Sequence, residues 1–367
     1  MRTRLKIITV VAAATIGSGV FALPYIIQSA GWLLSLGYFI AIIAVVSLAH
    51  ALYLRTLAAE NEKERLLGLI KEYFGPTGFW AGFLSIVIGL LLSFVAYLVL
   101  GTQFIQILIP GISPEVALII FWLILVVLVF KSEGKVTGFE VAGIALISGA
   151  ILFIFVLGHP FRAFINAPLI NPQNSFLPFG AVLFSLAGWT SVEQVYEIKK
   201  RTNEKINILT LFISGTALAG VLYWLFALGI LGAAPHATVD TISGVTTWPF
   251  WKKDILAAIG LLAMGVVSIP LAREIRGALE KDLGWNSFVS RLIIIGLPLL
   301  IILSGFNDFL LIVGLAGGVF ISTQYLFIIA VGRRTLQLSN REKTLLDILV
   351  AIFACAAIYE IVMFIVR

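Results

Sequence analysis

Eleven long apolar runs separated by short polar loops cover the chain: roughly 7–29, 33–57, 78–109, 115–130, 138–158, 176–198, 207–232, 254–277, 286–303, 307–332 and 344–366. A helix needs about 20 apolar residues to cross the hydrocarbon core of a bilayer. Lipid offers no partner to backbone N–H and C=O groups, so such runs predict helices, which pair these groups internally. The third run is long enough to tilt strongly, and the fourth is short. The pattern predicts an all-α polytopic membrane protein of 11 transmembrane helices, residues 1–367 forming one unit with no soluble domain between the runs.

Two runs depart from their own pattern. Near the middle of the first stands Thr15-Ile16-Gly17-Ser18-Gly19-Val20-Phe21-Ala22-Leu23-Pro24. Two glycines around a serine are poor helix formers. An unwound turn at that depth survives only where it faces protein or lines a cavity. It would expose C=O groups at the end of its first half and N–H groups at the start of its second, a site for a small zwitterion or ion. A close-packed seam against another helix accounts for the same residues. The sixth run, 176–198, breaks at Ser185–Ser191 around Gly188 and three hydroxyls. The two runs are five places apart in the order, an odd number, so they cross the membrane in opposite directions. Interrupted helices at matching positions of two inverted halves point to the binding site of a secondary transporter.

Composition removes the soluble classes: 60% of residues are hydrophobic, 12% are charged, and mean hydropathy is +1.07. The basic pI of about 9.4 does not signal nucleic acid, because the charges gather in the loops between runs. They also orient the chain. With the N-terminus in the cytoplasm, 21 of the 25 Lys and Arg fall on the inner side, leaving Arg162, Lys252, Lys253 and Arg367 outside. That asymmetry predicts a multi-pass protein of the cell membrane with its N-terminus cytoplasmic and its C-terminus outside. Residues 1–6 resemble the basic leader of a signal peptide, but the apolar run continues to Ser29, too long for one, so cleavage is not expected. Cys355 is the single cysteine, which excludes an intrachain disulfide.

The loops add three expectations. Residues 58–67 can form a short surface helix with charge pairs four apart. The outer loop His159–Ser175, with Pro160, Pro168 and Pro172, is irregular or a re-entrant lid. The loop Ala233–Trp251 carries Trp248 and Trp251, which read as interfacial anchors beside Pro235 and Pro249.

Ile16-Gly17-Ser18-Gly19-Val20-Phe21-Ala22-Leu23-Pro24 resembles the first-helix signature of the amino acid/auxin permease family, in the amino acid–polyamine–organocation superfamily. Residues 181–188 followed by Glu193 resemble its sixth helix, and Val267–Glu274 the end of its eighth. The resemblance covers nearly the whole chain, whose loops and tails are short for that family. It implies the five-plus-five inverted-repeat fold of the bacterial leucine transporter: residues 1–158 as the first repeat, 176–332 as the second, and 344–366 as an eleventh helix. It also implies transport of a zwitterionic amino acid, coupled to sodium or protons.

By the same resemblance, the substrate carboxylate would bind the N–H groups of Ser18, Gly19 and Val20, where a helix begins with its positive dipole end. The ammonium would meet the carbonyls of Thr15, Ile16, Phe184 and Ser185. Gly17, Gly19 and Gly188 would let a ligand approach the backbone, so a side chain at Gly19 is expected to block the site and leave the protein folded. Ser268, with the carbonyls of Ala13 and Ile16, matches a sodium site. That site is thin, because Val267 stands where a second hydroxyl would. A second sodium site is not expected, since Val20 replaces the asparagine that would complete it.

Other residues carry two readings each. Trp189 is a wall or gate of the pocket, or a packed tryptophan. Ser93 and Tyr97, four apart on the third helix, line the pocket or bond another helix. Glu193, with Glu197 on the same face, closes an inner gate or relays protons, or is solvated or paired near the cytoplasm. His50 can titrate near neutral pH or be a hydrogen-bonded structural group. Asp308 and Glu360, toward the outer helix ends, read as solvated.

No cofactor signature is present, and the three histidines at 50, 159 and 236 are scattered, which speaks against a membrane enzyme. No repeated pore helix or charged ring suggests a channel. An amino-acid sensor or channel on a transporter fold is the alternative. Lipid and a small-molecule substrate are the expected partners; the oligomeric state is not legible.

Overall fold

The computed structural model describes the chain except residues 1, 61–64, 131–137, 203–205, 235, 242, 243, 246, 247 and 367; for 2, 138–142 and 144 it describes the backbone alone. The described residues form helices and connecting turns, with no strand among them.

The first apolar run folds as two helices, α1 (Arg2–Thr15) and α2 (Leu23–Ala30), joined through a short 3₁₀ turn at Ser18–Phe21. Pro24 near the start of α2 needs no N–H partner there, so it is tolerated where the interior of a helix would reject it. Next comes α3 (Trp32–Ala59), set off by Gly31 at φ +100°, where a Cβ would meet the backbone of Leu169 and Ile170. The third run starts earlier than its hydropathy suggests. α4 (Leu66–Phe83) leads through a π-helical turn at Leu84–Ile88 into α5 (Gly89–Leu108), with a kink at Gly75 and Pro76. Leu66, Leu67, Leu69 and Ile70 are buried, which explains why helix forms ahead of the kink.

α6 (Pro114–Phe130) and α7 (Gly138–Leu157) follow, and then the sixth run, again in two pieces: α8 (Leu177–Leu186) and α9 (Val192–Lys200). The rest is α10 (Ile208–Ala233), α11 (Phe250–Arg276), α12 (Ser287–Leu303), α13 (Phe309–Gly314), α14 (Ser322–Thr335) and α15 (Asn340–Val366). Side-chain caps fix three starts: Asn207, Asn286 and Asp308 each accept from a backbone N–H in the first turn of their helix. π-helical turns extend α11 at Gly277–Asp282 and join α13 to α14 at Leu315–Ile321.

Six helical stretches among the described residues are long and apolar enough to cross a membrane alone, and Pro114–Phe130, Ala145–Leu157 and Ser287–Leu303 are shorter apolar helices. Their outer faces stay apolar: Leu33, Leu36 and Ile40 on α3, and Ile119, Leu123 and Val127 on α6, are exposed. A soluble protein would bury such faces; here they meet lipid.

Inside, α1 packs on α10, α11 on α5, and α8 on the Leu315–Ile321 turn, while α3 touches α8, α10 and α14. The broken pair therefore lies at the centre, with intact helices around it. The 159–175 loop folds over one end of α2: Asn171 and Asn174 donate to the carbonyl of Ser29, and Gln28 donates to that of Asn166. It is irregular, with single 3₁₀ turns at Pro160–Arg162 and Pro172–Asn174. Trp248 is buried and Trp251 half exposed; Pro235 lies outside the described residues, as does the middle of the expected 58–67 helix. Glu360 departs from expectation. It is half-buried, its carboxylate packed on Gly180 of α8 and on Gly314 and Gly318 of the α13–α14 unit. Three missing side chains leave the space that takes it out of solvent. Asp308 is exposed, as its position suggests.

Candidate functional site

Both breaks are real, and they face each other. At the first, Gly17 is extended (φ −139°, ψ −159°), so α1 ends at Thr15 and the chain turns before Ser18. At the second, Ala187 is extended and Gly188 sits at φ −129°, ψ 27°. A Cβ on Gly19 would lie 2.9 Å from Cα and still closer to Oγ of Ser185, and 3.0 Å from the Phe184 ring. A Cβ on Gly188 would lie 2.6 Å from Oγ1 of Thr15. Each glycine is thus the surface on which the other broken helix rests. This revises the expectation for Gly19: a side chain there strikes α8 before it could fill a ligand site.

Unpaired backbone at this depth costs several kcal/mol per group, and side chains from other helices remove much of that cost. Tyr223 of α10 is fully buried, and its hydroxyl does two jobs. It accepts from the Gly17 N–H at 3.0 Å and donates to the Thr15 carbonyl at 2.7 Å. At the second break the Ser191 hydroxyl donates to the Gly188 carbonyl at 2.6 Å. The Trp189 indole N–H donates to Gln324 Oε1 at 2.6 Å, and Gln324 Nε2 donates to the Ser85 carbonyl at 2.8 Å.

Between the breaks lies a cavity of about 50 Å³, counted as the space open to the centres of water-sized molecules. That is room for a few waters. Thr15, Gly17, Ser18 and Gly19 form one side, and Phe184, Ser185, Ala187 and Trp189 the facing side. Ser93 and Tyr97 of α5 and Val267 and Pro270 of α11 complete the wall. No charged side chain lines it. The Ser18 hydroxyl is fully buried and has no hydrogen-bond partner. An orphaned polar atom at the mouth of a helix start is a place for a polar ligand group.

Most of the nominated residues come together here. Ile16, Val20 and Gly188 belong to the same unwound turns without lining the cavity. Trp189 is both a wall and an anchored side chain, and Tyr97 holds its hydroxyl 3.4 Å from where a Gly17 Cβ would sit. Ser268 is buried behind Val267 and donates to the Gly265 carbonyl at 2.8 Å, leaving its oxygen lone pairs able to face a cation. The expected set, Ser268 with the carbonyls of Ala13 and Ile16, consists of neutral oxygens, a chemistry that suits sodium and not a transition metal. Among the described residues no group of three His, Cys, Asp or Glu could hold one.

Glu193 sits away from the cavity in an ion cluster. Arg65, just before α4, approaches Glu193 of α9 at 3.5 Å and Glu274 of α11 at 3.6 Å. The Tyr53 hydroxyl donates to Glu193 at 3.3 Å. Glu274 holds the Arg65 guanidinium above its usual value, so the cluster keeps one fixed positive charge between two carboxylates. Of the two readings of Glu193, the paired one describes its surroundings. Tyr223, Gln324 and Arg65 went unnoticed in the sequence. The one local signal was a hydroxyl or amide in the middle of an apolar run, which needs a partner in lipid.

The tryptophan/tyrosine permease family matches residues 3–247. This, and not the amino acid/auxin permease family, is the match. The motif located the break in the helix, which local propensity decides, and misassigned the family. The crystal structure of MhsT in complex with L-phenylalanine shares the fold with a TM-score of 0.69 at 13% identity, covering 99% of this chain and 98% of that one. It is a leucine-transporter-like fold. No curated protein matches the chain by sequence.

Proposed function

Because the chain belongs to the tryptophan/tyrosine permease family, and so is a membrane permease and not an enzyme, we propose that it is a secondary active transporter. It carries a neutral amino acid with an aromatic side chain across the cell membrane by alternating access. The observation behind this is the uncharged cavity between two facing helix breaks, with the Ser18 hydroxyl unpartnered at its edge. A zwitterion brings its own two charges, so a site made of backbone dipoles suits it and a charged wall would not. The family description and the L-phenylalanine in MhsT support the aromatic side chain, as do Tyr97, Phe184 and Trp189 in the wall.

In this reading the carboxylate binds at Ser18–Val20. The ammonium binds at the carbonyls of Ile16, Phe184 and Ser185, with Thr15 sharing its carbonyl with Tyr223. The cavity holds only a few waters, so binding parts its walls. Eleven crossings in a five-plus-five inverted repeat, with a cytoplasmic N-terminus, are the architecture that goes with this reading. Arg65, Glu193 and Glu274 then form an inner gate, whose ion pairs open to admit cytoplasmic water. The coupling ion is sodium at Ala13, Ile16 and Ser268, or a proton.

Uptake of radiolabelled tryptophan, tyrosine and phenylalanine into proteoliposomes tests the proposal, under an inward sodium gradient, an inward proton gradient, and neither. Accumulation of at least one of them under one gradient is expected. If none accumulates and none raises the melting temperature of the purified protein, the proposal is wrong.

A further inference from the structure

Gln324 of α14 is fully buried and does not line the cavity, yet it holds one of the cavity's walls. An indole N–H only donates, so the amide oxygen of Gln324 faces Trp189, at 2.6 Å. The amide nitrogen is left to donate to the Ser85 carbonyl, at 2.8 Å. The two bonds together need a side chain that accepts at one atom and donates at the next. A glutamate would set a second acceptor against the carbonyl, and a hydrocarbon would leave both partners unpaired. Glutamine is the residue this place asks for.

The line continues into two π-helical turns, a geometry common at functional sites. Ser85 lies in the turn Leu84–Ile88, just ahead of Leu90 and Ser93 in the cavity wall. Phe320 lies in the turn Leu315–Ile321, whose last residue, Ile321, also lines the cavity. The Ser85 hydroxyl donates to the Phe320 carbonyl at 3.0 Å, so the two turns are bonded to each other as well as to Gln324. Gly89 leaves the room for this: a Cβ there would lie 2.6 Å from the Cβ of Phe320 and 2.8 Å from Nε2 of Gln324. The backbone that carries Gln324 is itself held. The hydroxyl of the next residue, Tyr325, lies 2.9 Å from Nε2 of His50 on α3, and its ring stacks on Phe353 of α15 at 4.8 Å. Of its two readings, His50 therefore takes the hydrogen-bonded structural one.

We propose that Gln324 is a positioning residue that determines which side chains the site accepts. It makes Trp189 one body with the two π turns. A substrate side chain that presses on the indole must then move α14 and the start of α5 as well, so the wall yields stiffly and the site selects by size. Without the two bonds the indole yields alone and the selection is lost. The inference rests on the transport reading above and deepens it, naming what sets the choice among substrate side chains. Gln324 touches no substrate; it acts through Trp189.

The test uses the full chain, purified, and two readouts. The first needs no substrate. The protein is labelled with fluorotryptophan, and the fluorine resonance of Trp189 is assigned by its absence from Trp189→Phe. In Gln324→Met this resonance should shift or split, while those of the surface residues Trp80 and Trp251 stay in place. An unchanged Trp189 resonance overturns the inference, whatever the substrate is. The second readout is equilibrium binding of leucine, phenylalanine, tyrosine and tryptophan. The spread between the tightest and the weakest should narrow in Gln324→Met by at least about tenfold, the low end of what one methylene decides in a tight pocket. In a Trp189→Phe background, Gln324→Met should add no further narrowing, because two residues that act as one unit are not additive. The same narrowing with phenylalanine at 189 would mean that Gln324 acts elsewhere, and overturns the inference; so does a parent protein that binds all four alike. Should Gln324→Met fail to fold, Gly89→Ala presses on the amide from outside the cavity and serves in both assays. A parent that binds none of the four counts against the transport reading, and the fluorine resonance still judges the hold of Gln324 on Trp189.

Discussion

At the first break, the carbonyl of Thr15 and the N–H of Gly17 meet the same hydroxyl, that of Tyr223. At the second, the Trp189 indole continues through Gln324 of α14 to the carbonyl of Ser85. One break closes on itself with a neutral group from α10. The other is tied to α14 and to the turn before α5. A closed bridge resists small changes around it, whereas a connected one passes them on. The difference predicts that the first break behaves as a fixed floor for the ligand and the second as the part that moves.

The largest effect expected is at Gly19. Its missing Cβ would press on the Cα of Ser185 at 2.9 Å, and backbone cannot rotate out of the way. Gly19→Ala should push the two broken helices apart, lowering aromatic amino acid uptake by roughly a hundredfold and reducing the melting temperature of the detergent-solubilised protein. Uptake within a few-fold of the parent would mean that the helices are not held at this separation during transport.

Tyr223→Phe comes next. It removes one donor and one acceptor at a stroke, leaving the Gly17 N–H and the Thr15 carbonyl unpaired beside the cavity. A buried polar group left without its partner costs about 1–3 kcal/mol. Substrate binding that relies on the shape of this turn should therefore weaken by about ten- to a hundredfold. Scintillation proximity binding on purified protein measures it. If affinity is unchanged while the protein loses stability, Tyr223 supports the fold and not the site.

These two positions also mark where the sequence was legible. Gly17, Ser18 and Gly19 stand out because they violate a local rule, helix propensity inside a membrane run, and such a violation is visible in one dimension. So do Ser185–Ser191. Tyr223 is 208 residues from Thr15, and nothing in its own neighbourhood says which backbone it serves. Pairing across helices depends on rotation and depth, neither of which hydropathy fixes. Arg65 was hidden for another reason: it lies in a polar loop, where an arginine reads as an orientation signal. Only the fold brings it to Glu193 and Glu274. Glu360 was misjudged because depth was inferred from distance along α15, when three glycines on neighbouring helices decide it.

Gly188→Ala sharpens the comparison from the other side. Its Cβ would meet Thr15 Oγ1 at 2.6 Å, a side-chain atom that is bonded at 2.8 Å to the Val11 carbonyl. A threonine can change rotamer at a cost of about 1 kcal/mol, so the neighbour can yield. Uptake should fall by about fivefold, far less than for Gly19→Ala. Thr15→Val combined with Gly188→Ala would show whether the hydroxyl is the obstacle, because valine keeps the bulk and loses the bond. Equal losses at Gly19 and Gly188 would erase the distinction between a fixed and a yielding break.

The smallest effect expected is at Glu193, one turn beyond the second break. Arg65 stands between Glu193 and Glu274 at nearly equal distances, 3.5 and 3.6 Å, so two carboxyl groups share one guanidinium. Glu193→Gln removes one of the two and keeps an oxygen for the Tyr53 hydroxyl, which lies 3.3 Å from Glu193 Oε1. Arg65 still has Glu274. The lost attraction and the lost repulsion between carboxylates oppose each other, and partly exposed ion pairs contribute only about 0–1 kcal/mol in any case. Uptake should change by about threefold or less, in either direction. Its dependence on ionic strength should flatten, since salt screens the charges that remain partly exposed. A loss as large as that of Tyr223→Phe would make the ion cluster a working part of transport, with α9 the element that carries its effect to the second break.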